Sequence, residues 1–376
     1  MQKSYCNMAK KKIEDVFPIT VTEDVFAEDN PVLAEALREA TGRENPKVAL
    51  IADMNVVQRT ESLGLKIGRY FQVHGITLAA NPVVITAGER IKVDNFQSAA
   101  MVGSALIDAR VGYNDAVIAL GGGTLLDVAG FAAAQARGGI KLVRIPTTVA
   151  SMLGSSFSDY AALDAVNVKD AFRVASRPAA VIVDPLFTKT VLDGVWRGGF
   201  SEAVRYAAVA DAALMKKIAA RAEAIKAREY EPMKATIEEC IASRMKNGFA
   251  GNFALWSAMR LEAMSGYKLP YGYAVAIAIC IDCAYAAAKG VLKESDQQLI
   301  CSALSQCGAL DGLVHSRHLL SQPESIILGL ESLMLVTGRR EIMLCSGIGK
   351  SVCDVEPDKE ALAGVVEEFY MASQAG

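Results

Sequence analysis

Residues 115–127 read Asp115-Ala116-Val117-Ile118-Ala119-Leu120-Gly121-Gly122-Gly123-Thr124-Leu125-Leu126-Asp127. An apolar run of strand length enters three glycines, and helical spacing follows from Thr124 to about Ala136. Glycines at such a junction let the backbone approach a diphosphate closely, and the first N–H groups of the helix then point at the anion. The run is not the G-x-G-x-x-G fingerprint, and a bare triplet also suits any tight turn. Its surroundings decide the fold. Upstream, Val48-Ala49-Leu50-Ile51-Ala52 is an apolar run ending at polar Asp53-Met54-Asn55. Phe17 to Thr22 suits an edge strand with proline at its start, and Pro82 to Thr86 a further strand before Ala87-Gly88-Glu89. Phe96 to Ala109 has helical spacing, while Lys141 to Ile145 and Ala179 to Val183 supply more strands. Apolar strands alternating with helices predict a mainly parallel sheet.

After Asp184-Pro185 the text turns Ala-, Leu-, Met- and Glu-rich with helical periodicity, and strand signals become few. The expected fold is therefore α/β followed by all-α: a Rossmann-like, parallel-rich domain over residues 1–187 and a helical domain over 188–376, with the cleft between them as the default site. A chain of 376 residues is too long for one core. Its 52% hydrophobic and 22% charged residues exclude a largely disordered polymer. Lys+Arg of 39 against Asp+Glu of 42 leaves no basic stripe for a nucleic acid. The longest apolar tract, Tyr273 to Ala288, is interrupted by Asp282 and is too short for a good membrane span. The polar start, Met1 to Lys12, lacks the apolar stretch of a signal peptide. Eight cysteines in a chain this long make no disulfide framework, so a cytoplasmic location is expected.

Read together, several segments fall in a recognisable order: Asp53-Met54-Asn55-Val56, Gly88-Glu89-Arg90-Ile91-Lys92, the glycine loop ending at Asp127, Ile145-Pro146-Thr147-Thr148, Gly154-Ser155-Ser156, and Gly199-Phe200-Ser201-Glu202-Ala203-Val204-Arg205-Tyr206. This order and spacing resembles the dehydroquinate synthase family, within the superfamily of glycerol and iron-type alcohol dehydrogenases. The resemblance implies NAD, with its diphosphate on Gly121, Gly122 and Gly123. It places Asp127 near the nicotinamide, Thr147, Thr148 and Thr190 along the cofactor, and Asp53, Asn55, Glu89 and Lys92 around the adenosine half. It also implies a homodimer.

The other half of the family site is altered. The family holds a divalent metal, usually zinc, with one glutamate and two histidines. Its A-E-x-x-K-Y glutamate matches Glu202, with Arg205 replacing the lysine. Its N-[LF]-G-H-x-x-G-H-x-x-E element matches Asn252 to Glu262, which puts Leu255 and Met259 at the two histidines. Its H-G-E-A-V-A element reads Tyr271-Gly272-Tyr273-Ala274-Val275-Ala276, so the last ligand position holds Tyr271. Leucine offers no lone pair and a phenol is a poor zinc ligand beside imidazole. The chain's three histidines, His74, His315 and His318, fall outside these segments. Cys280 and Cys283 in an Ala-rich helix read as buried small hydrophobes. No catalytic zinc is expected.

Cations remain to hold an anionic substrate. Lys169 matches a family lysine, Arg137 lies one residue from a phosphate-contacting arginine, Arg244 is nearby without a certain counterpart, and Arg339 belongs to a late basic pair. Catalysis then falls to Lys169, Glu202, Arg205 and Tyr271, with Tyr160 or Tyr273 as other proton carriers if a cation lowers a phenol's pKa. Three readings stay open: a metal-free NAD-dependent enzyme acting on a polyhydroxylated small molecule, phosphorylated or not; a catalytically inactive NAD-binding sensor or scaffold; and a protein with a different metal site.

Overall fold

The computed structural model describes residues 17–248, 251–338 and 340–374. Among these the chain divides into two compact units, one ending at Val191 and the other beginning at Leu192, with Asn167–Lys169 grouped with the second. The expected boundary near 187 lies inside the turn Pro185–Thr190, a few residues short of that break.

The first unit is built on strands β1 (Ile19–Val21), β2 (Lys47–Asp53), β3 (Thr77–Leu78), β4 (Val83–Ile85), β5 (Ala116–Gly121), β6 (Lys141–Pro146), β7 (Tyr160–Ala165), β8 (Val168–Ala175) and β9 (Ala180–Val183). Seven of them form one sheet in the order β1-β9-β6-β5-β2-β3, with β4 also on β2, and its strands pair in parallel. All six residues of β5 are buried, as a strand covered on both faces requires. That is why β5 reads as an unbroken apolar run. From β2 the chain moves outward to β3 and β4, then returns to β5 on the other side. The connections therefore diverge between β2 and β5, which is the crevice where open α/β sheets bind ligands beyond their strand ends. Helices Gln97–Asp108 and Gly123–Gln135 close one face over a core of Val102, Leu106, Val117, Ala119, Leu125 and Ala129.

Strands β7 and β8 pair apart from the main sheet. They are not anticipated from the sequence, and Val168–Ala175 has no fully buried position and no alternation to mark it as a strand. Arg144 on β6, 1% exposed, secures this segment through the carbonyls of Ser155, Ser158, Tyr160 and Ser176.

The second unit contains the helices Asp193–Ala210, Ala212–Lys226, Tyr230–Asn247, Leu255–Met264, Tyr271–Ala288, Glu294–Gln306, Leu313–Leu320, Pro323–Thr337 and Lys359–Gln374. It also carries an antiparallel hairpin of β10 (Ile342–Gly347) and β11 (Lys350–Val355), so the expected helical domain is helical with this one addition among the described residues. By length and composition Tyr271–Ala288 could cross a membrane, but it is mostly covered by its neighbours. It packs on Asp193–Ala210 where Gly198 and Gly272 meet, and a Cβ on either would strike the other's backbone. Cys280 and Cys283 on this helix are both buried, in keeping with small hydrophobes.

Candidate functional site

The glycine loop lies at the switch point of the sheet. The carbonyl of Gly121, the last residue of β5, accepts the amide of Thr147 just beyond β6. Added β-carbons explain the triplet: at Gly121 one would meet Leu125 and Asp53, at Gly122 it would lie 3.3 Å from Thr148 Cγ2, and at Gly123 2.9 Å from Ser155 Oγ. Packing alone thus demands glycine here. The case for a ligand rests on two other features. Gly122 caps the helix Gly123–Gln135 without a side-chain hydrogen bond, so the first-turn amides keep their anion-binding capacity. Thr147, 1% exposed, has a buried hydroxyl with no hydrogen-bond partner. A buried polar group without a partner is costly unless something outside the chain completes it. These groups fit a dinucleotide diphosphate at the loop, where NAD would supply a hydride acceptor.

Around that loop the expected cofactor residues divide. Asp53 ends β2 and accepts the backbone and side-chain N–H groups of Asn55, which fixes the turn beside Gly121. Thr148 caps the short helix Val149–Leu153 in reciprocal bonds with Ser151. Thr190 donates to the carbonyl of Phe187 at 2.8 Å, in a turn that packs against the helix Met54–Arg59. Lys92 points inward instead of lying open beside an adenosine: it is 4% exposed and pairs with Asp127 at 2.9 Å, Asp170 at 3.1 Å and Asp164 at 3.3 Å. Glu89 begins the turn that carries it. Burial would lower the Lys92 ammonium, but its carboxylates, Asp127 foremost, hold it well above the ordinary range. Burial raises Asp127 in turn, against the pull of Lys92. Lys92 and Asp127 are therefore brought together as an ionic knot tying the helix after the glycine loop to β7 and β8.

In the second unit a different cluster forms around Glu202, which is fully buried on the helix Asp193–Ala210. Arg205 Nε donates to both of its oxygens, at 3.1 and 3.2 Å, and Nη2 donates to Oε2 at 3.1 Å. The Tyr271 hydroxyl donates to Oε1 at 2.6 Å, and Arg244 Nη2 stands 3.8 Å from Oε2. Arg205 Nη1 also reaches the carbonyls of Phe253 at 3.3 Å and Gly251 at 3.4 Å. Burial would raise the Glu202 carboxyl, but Arg205 and then Arg244 outweigh it and keep it below its ordinary value. Just beyond, Asp282 accepts the amide of Ala254 and the indole N–H of Trp256, both at 2.9 Å, and so fixes the start of the helix that carries Leu255.

Three expectations are corrected. Burial, and then the charge of Glu202, push the Tyr271 phenol well above its usual pKa, so no cation activates it as a base. Tyr160 is raised to about 12, by burial and then by Asp170, and Tyr273 is raised by burial as it packs against Gly194 and Gly312. Arg137 is exposed in the turn before Lys141, where β6 starts, at the opposite end of that strand from the glycine loop, so it is no partner for an anion there. Arg244 is 2% exposed and packs its guanidinium over the Tyr206 ring, so it serves Glu202 instead of an open anion pocket. Arg339 lies outside the described residues. Lys169 pairs with Glu262 at 3.6 Å and lies over the Tyr267 ring. Arg144 and Asp282 were missed by sequence reasoning; the available signal was a single charge inside an apolar run, Leu142-Val143-Arg144-Ile145 or Ile279-Cys280-Ile281-Asp282-Cys283.

A parallel sheet with a glycine loop at its switch point, followed by a helical unit, defines a protein of the α/β class with a helical second part. Residues 82–197 match the family described as 3-dehydroquinate synthase N-terminal. The chain is 26% identical over 349 residues to a 3-dehydroquinate synthase of Rhodopseudomonas palustris, spanning 85% of this chain and 87% of that protein. It is 33% identical over 172 residues to one of Clostridium acetobutylicum, spanning 46% of each. Its fold is similar to 2-epi-5-epi-valiolone synthase from Streptomyces hygroscopicus subsp. jinggangensis, solved with NAD+ and Zn2+ bound (TM-score 0.77, 20% identity, 95% of this chain and 97% of that one). It is also similar to 2-deoxy-scyllo-inosose synthase complexed with carbaglucose-6-phosphate, NAD+ and Co2+ (TM-score 0.74, 19% identity, 94% and 96%). The chain is thus similar to 3-dehydroquinate synthases along most of its length and shares the fold of these two synthases.

The donors in this chain do not suit the metal that accompanies NAD+ in those two neighbours. Both Glu202 oxygens already accept hydrogen bonds, Tyr271 gives its proton to one of them, and Leu255 has nothing to donate. Among the described residues no cluster of three or more His, Cys, Asp or Glu side chains is placed to hold a metal ion.

Proposed function

We propose that this protein binds NAD at the Gly121–Gly123 loop and uses it, without a catalytic metal, for hydride transfer with a polyhydroxylated, sugar-like small molecule, phosphorylated or not. The 3-dehydroquinate synthase reaction by the metal-assisted route is not its activity. The observation that carries this is the contrast between the two halves. The glycine loop keeps an uncapped helix start beside an unpartnered Thr147 hydroxyl, while the carboxylate that would bind metal is already bonded to Arg205 and Tyr271. Curated relatives named 3-dehydroquinate synthase, and neighbours named as synthases of valiolone and inosose type, support the substrate class. The same resemblance supports a cytoplasmic homodimer. Lys169, ion-paired with Glu262, and Arg205, paired with Glu202, supply the positive charge.

A second reading, an NAD-binding homologue without turnover, is favoured by one observation: Tyr160, Tyr271 and Tyr273 are all raised, leaving none of them poised near neutral pH. Calorimetric titration of chelator-treated protein with NAD, followed by a screen of polyols and their phosphates for NADH formation, tests both. Binding with turnover supports the enzyme, and binding without turnover across the screen supports the second reading. Absence of NAD binding refutes both.

A further inference from the structure

We propose that Arg205 is a built-in cation standing in place of the metal, linking the segments that the metal would otherwise link. This deepens the metal-independent reading above and rests on it. A metal held by the family's glutamate and two histidines would connect the helix Asp193–Ala210, the start of the helix Leu255–Met264 and the start of the helix Tyr271–Ala288. Arg205 and its carboxylate connect those same three places. The guanidinium fork spans both Glu202 oxygens within the first helix. Its other arm reaches the carbonyls of Gly251 and Phe253, just ahead of Leu255. Glu202 carries the link on to Tyr271, the first residue of the third helix.

The chemistry of the two arrangements differs in a defined way. A dication takes lone pairs from neutral imidazoles and a carboxylate, and it leaves when chelated. A guanidinium is a permanent monocation with five donors in a planar fork, and it demands acceptors. The cluster supplies acceptors: four oxygens face Arg205, two from a carboxylate and two from the main chain. Tyr271 donates to the same carboxylate, which the metal-bound nitrogen of a ligand histidine cannot do. Replacement of both ligand histidines and the lysine-to-arginine change at position 205 thus form one coherent exchange. Arg244, packed over the Tyr206 ring, adds a second positive charge 3.8 Å from Oε2 of the carboxylate. Arg205 is a positioning residue here; nothing requires it to touch substrate.

The experiment compares metal content, melting temperature and NAD binding in the whole protein. Purified wild type should hold no stoichiometric zinc or cobalt, and EDTA or added zinc should leave its melting temperature unchanged. Restoring both imidazoles with Leu255→His and Tyr271→His should still give no stoichiometric zinc while Arg205 is present. Adding Arg205→Ala to that pair should create a site that takes up zinc and gains melting temperature on doing so. Where these variants fold poorly, Glu202→Gln, Arg205→Met and their combination serve instead. Each single change strands buried charge, so the double variant should melt above both singles. A wild-type melting temperature that falls when EDTA removes a stoichiometric metal overturns the proposal. So does zinc uptake by the two-histidine variant with Arg205 in place, a folded triple variant that takes none, or a double variant no more stable than the singles. NAD titration of the same wild-type sample separates the two claims: lost NAD binding with these metal results intact refutes the functional reading and leaves the built-in cation standing.

Discussion

Asp282 is fully buried, and its carboxyl is raised from 3.8 to about 7, by burial and against the two N–H groups of Ala254 and Trp256 that it accepts. Because the folded pKa exceeds the unfolded one, the folded chain holds this proton over a pH range where the unfolded chain has released it. Stability from this group is therefore greatest below about pH 4 and falls as pH rises toward 7, levelling off above. The full displacement corresponds to about 4 kcal/mol, of which about 3 kcal/mol falls between roughly pH 5 and pH 8. Asp282→Asn is the matching perturbation: the amide has the shape of the protonated acid, with one acceptor and a donor on the other arm. Urea unfolding of wild type and variant at those two pH values should show the variant gaining on wild type by about 2–3 kcal/mol at the higher one. Asp184, raised to about 6 mainly by burial, contributes in the same direction but cancels in the difference between the two proteins. An equal stability gap at both pH values would refute the reasoning, because it would mean that Asp282 is ionised in the folded protein throughout.

Thr147→Val removes a buried hydroxyl that has no partner within the chain, so folding should lose nothing, while NAD binding should weaken by about 1 kcal/mol, roughly fivefold, as read by calorimetry. Tyr271→Phe deletes the 2.6 Å hydrogen bond to Glu202; the loss of a bond to a charged acceptor should appear as about 1.5–3 kcal/mol in urea unfolding. Lys92→Met leaves Asp127, Asp164 and Asp170 without their shared cation, which should cost about 3–5 kcal/mol at neutral pH. That loss should shrink at pH 5, because Asp127, already raised by burial, takes up a proton more readily there and relieves the repulsion, and urea midpoints at the two pH values decide it. Gly272→Ala drives a methyl into the backbone of Gly198 and should destabilise by about 3 kcal/mol, the upper end for overpacking, in the same assay.

Much of the architecture was legible because local chemistry fixes it. An apolar run covered on both faces, as in Ala116–Gly121, has little alternative to a central parallel strand, and three glycines between it and a helix mark where the chain turns. Leu255 and Tyr271 at named motif positions carry the expectation of a changed metal site. What the sequence left dark depends on distant partners. The β7 and β8 strands are not legible in the sequence, since Arg144 secures their segment by holding four carbonyls across residues 155–176. Arg137 looked like a phosphate contact from its spacing, but spacing does not say which end of a strand a residue occupies.

The ionisable groups mark the boundary most clearly. Residue identity alone set which charges exist: Lys92 and Asp127 near one loop, Glu202 and Arg205 a helical turn apart, a phenol at 271. Only the tertiary structure decided what each charge does, because burial and the partners at 3 Å set the sign of every shift. The helix crossing at Gly198 and Gly272 brings Tyr271 onto Glu202, and the phenol becomes a donor with a raised pKa instead of an activated base. Electrostatic energy depends on distance and on exclusion of water, and neither is written in a linear order of residues.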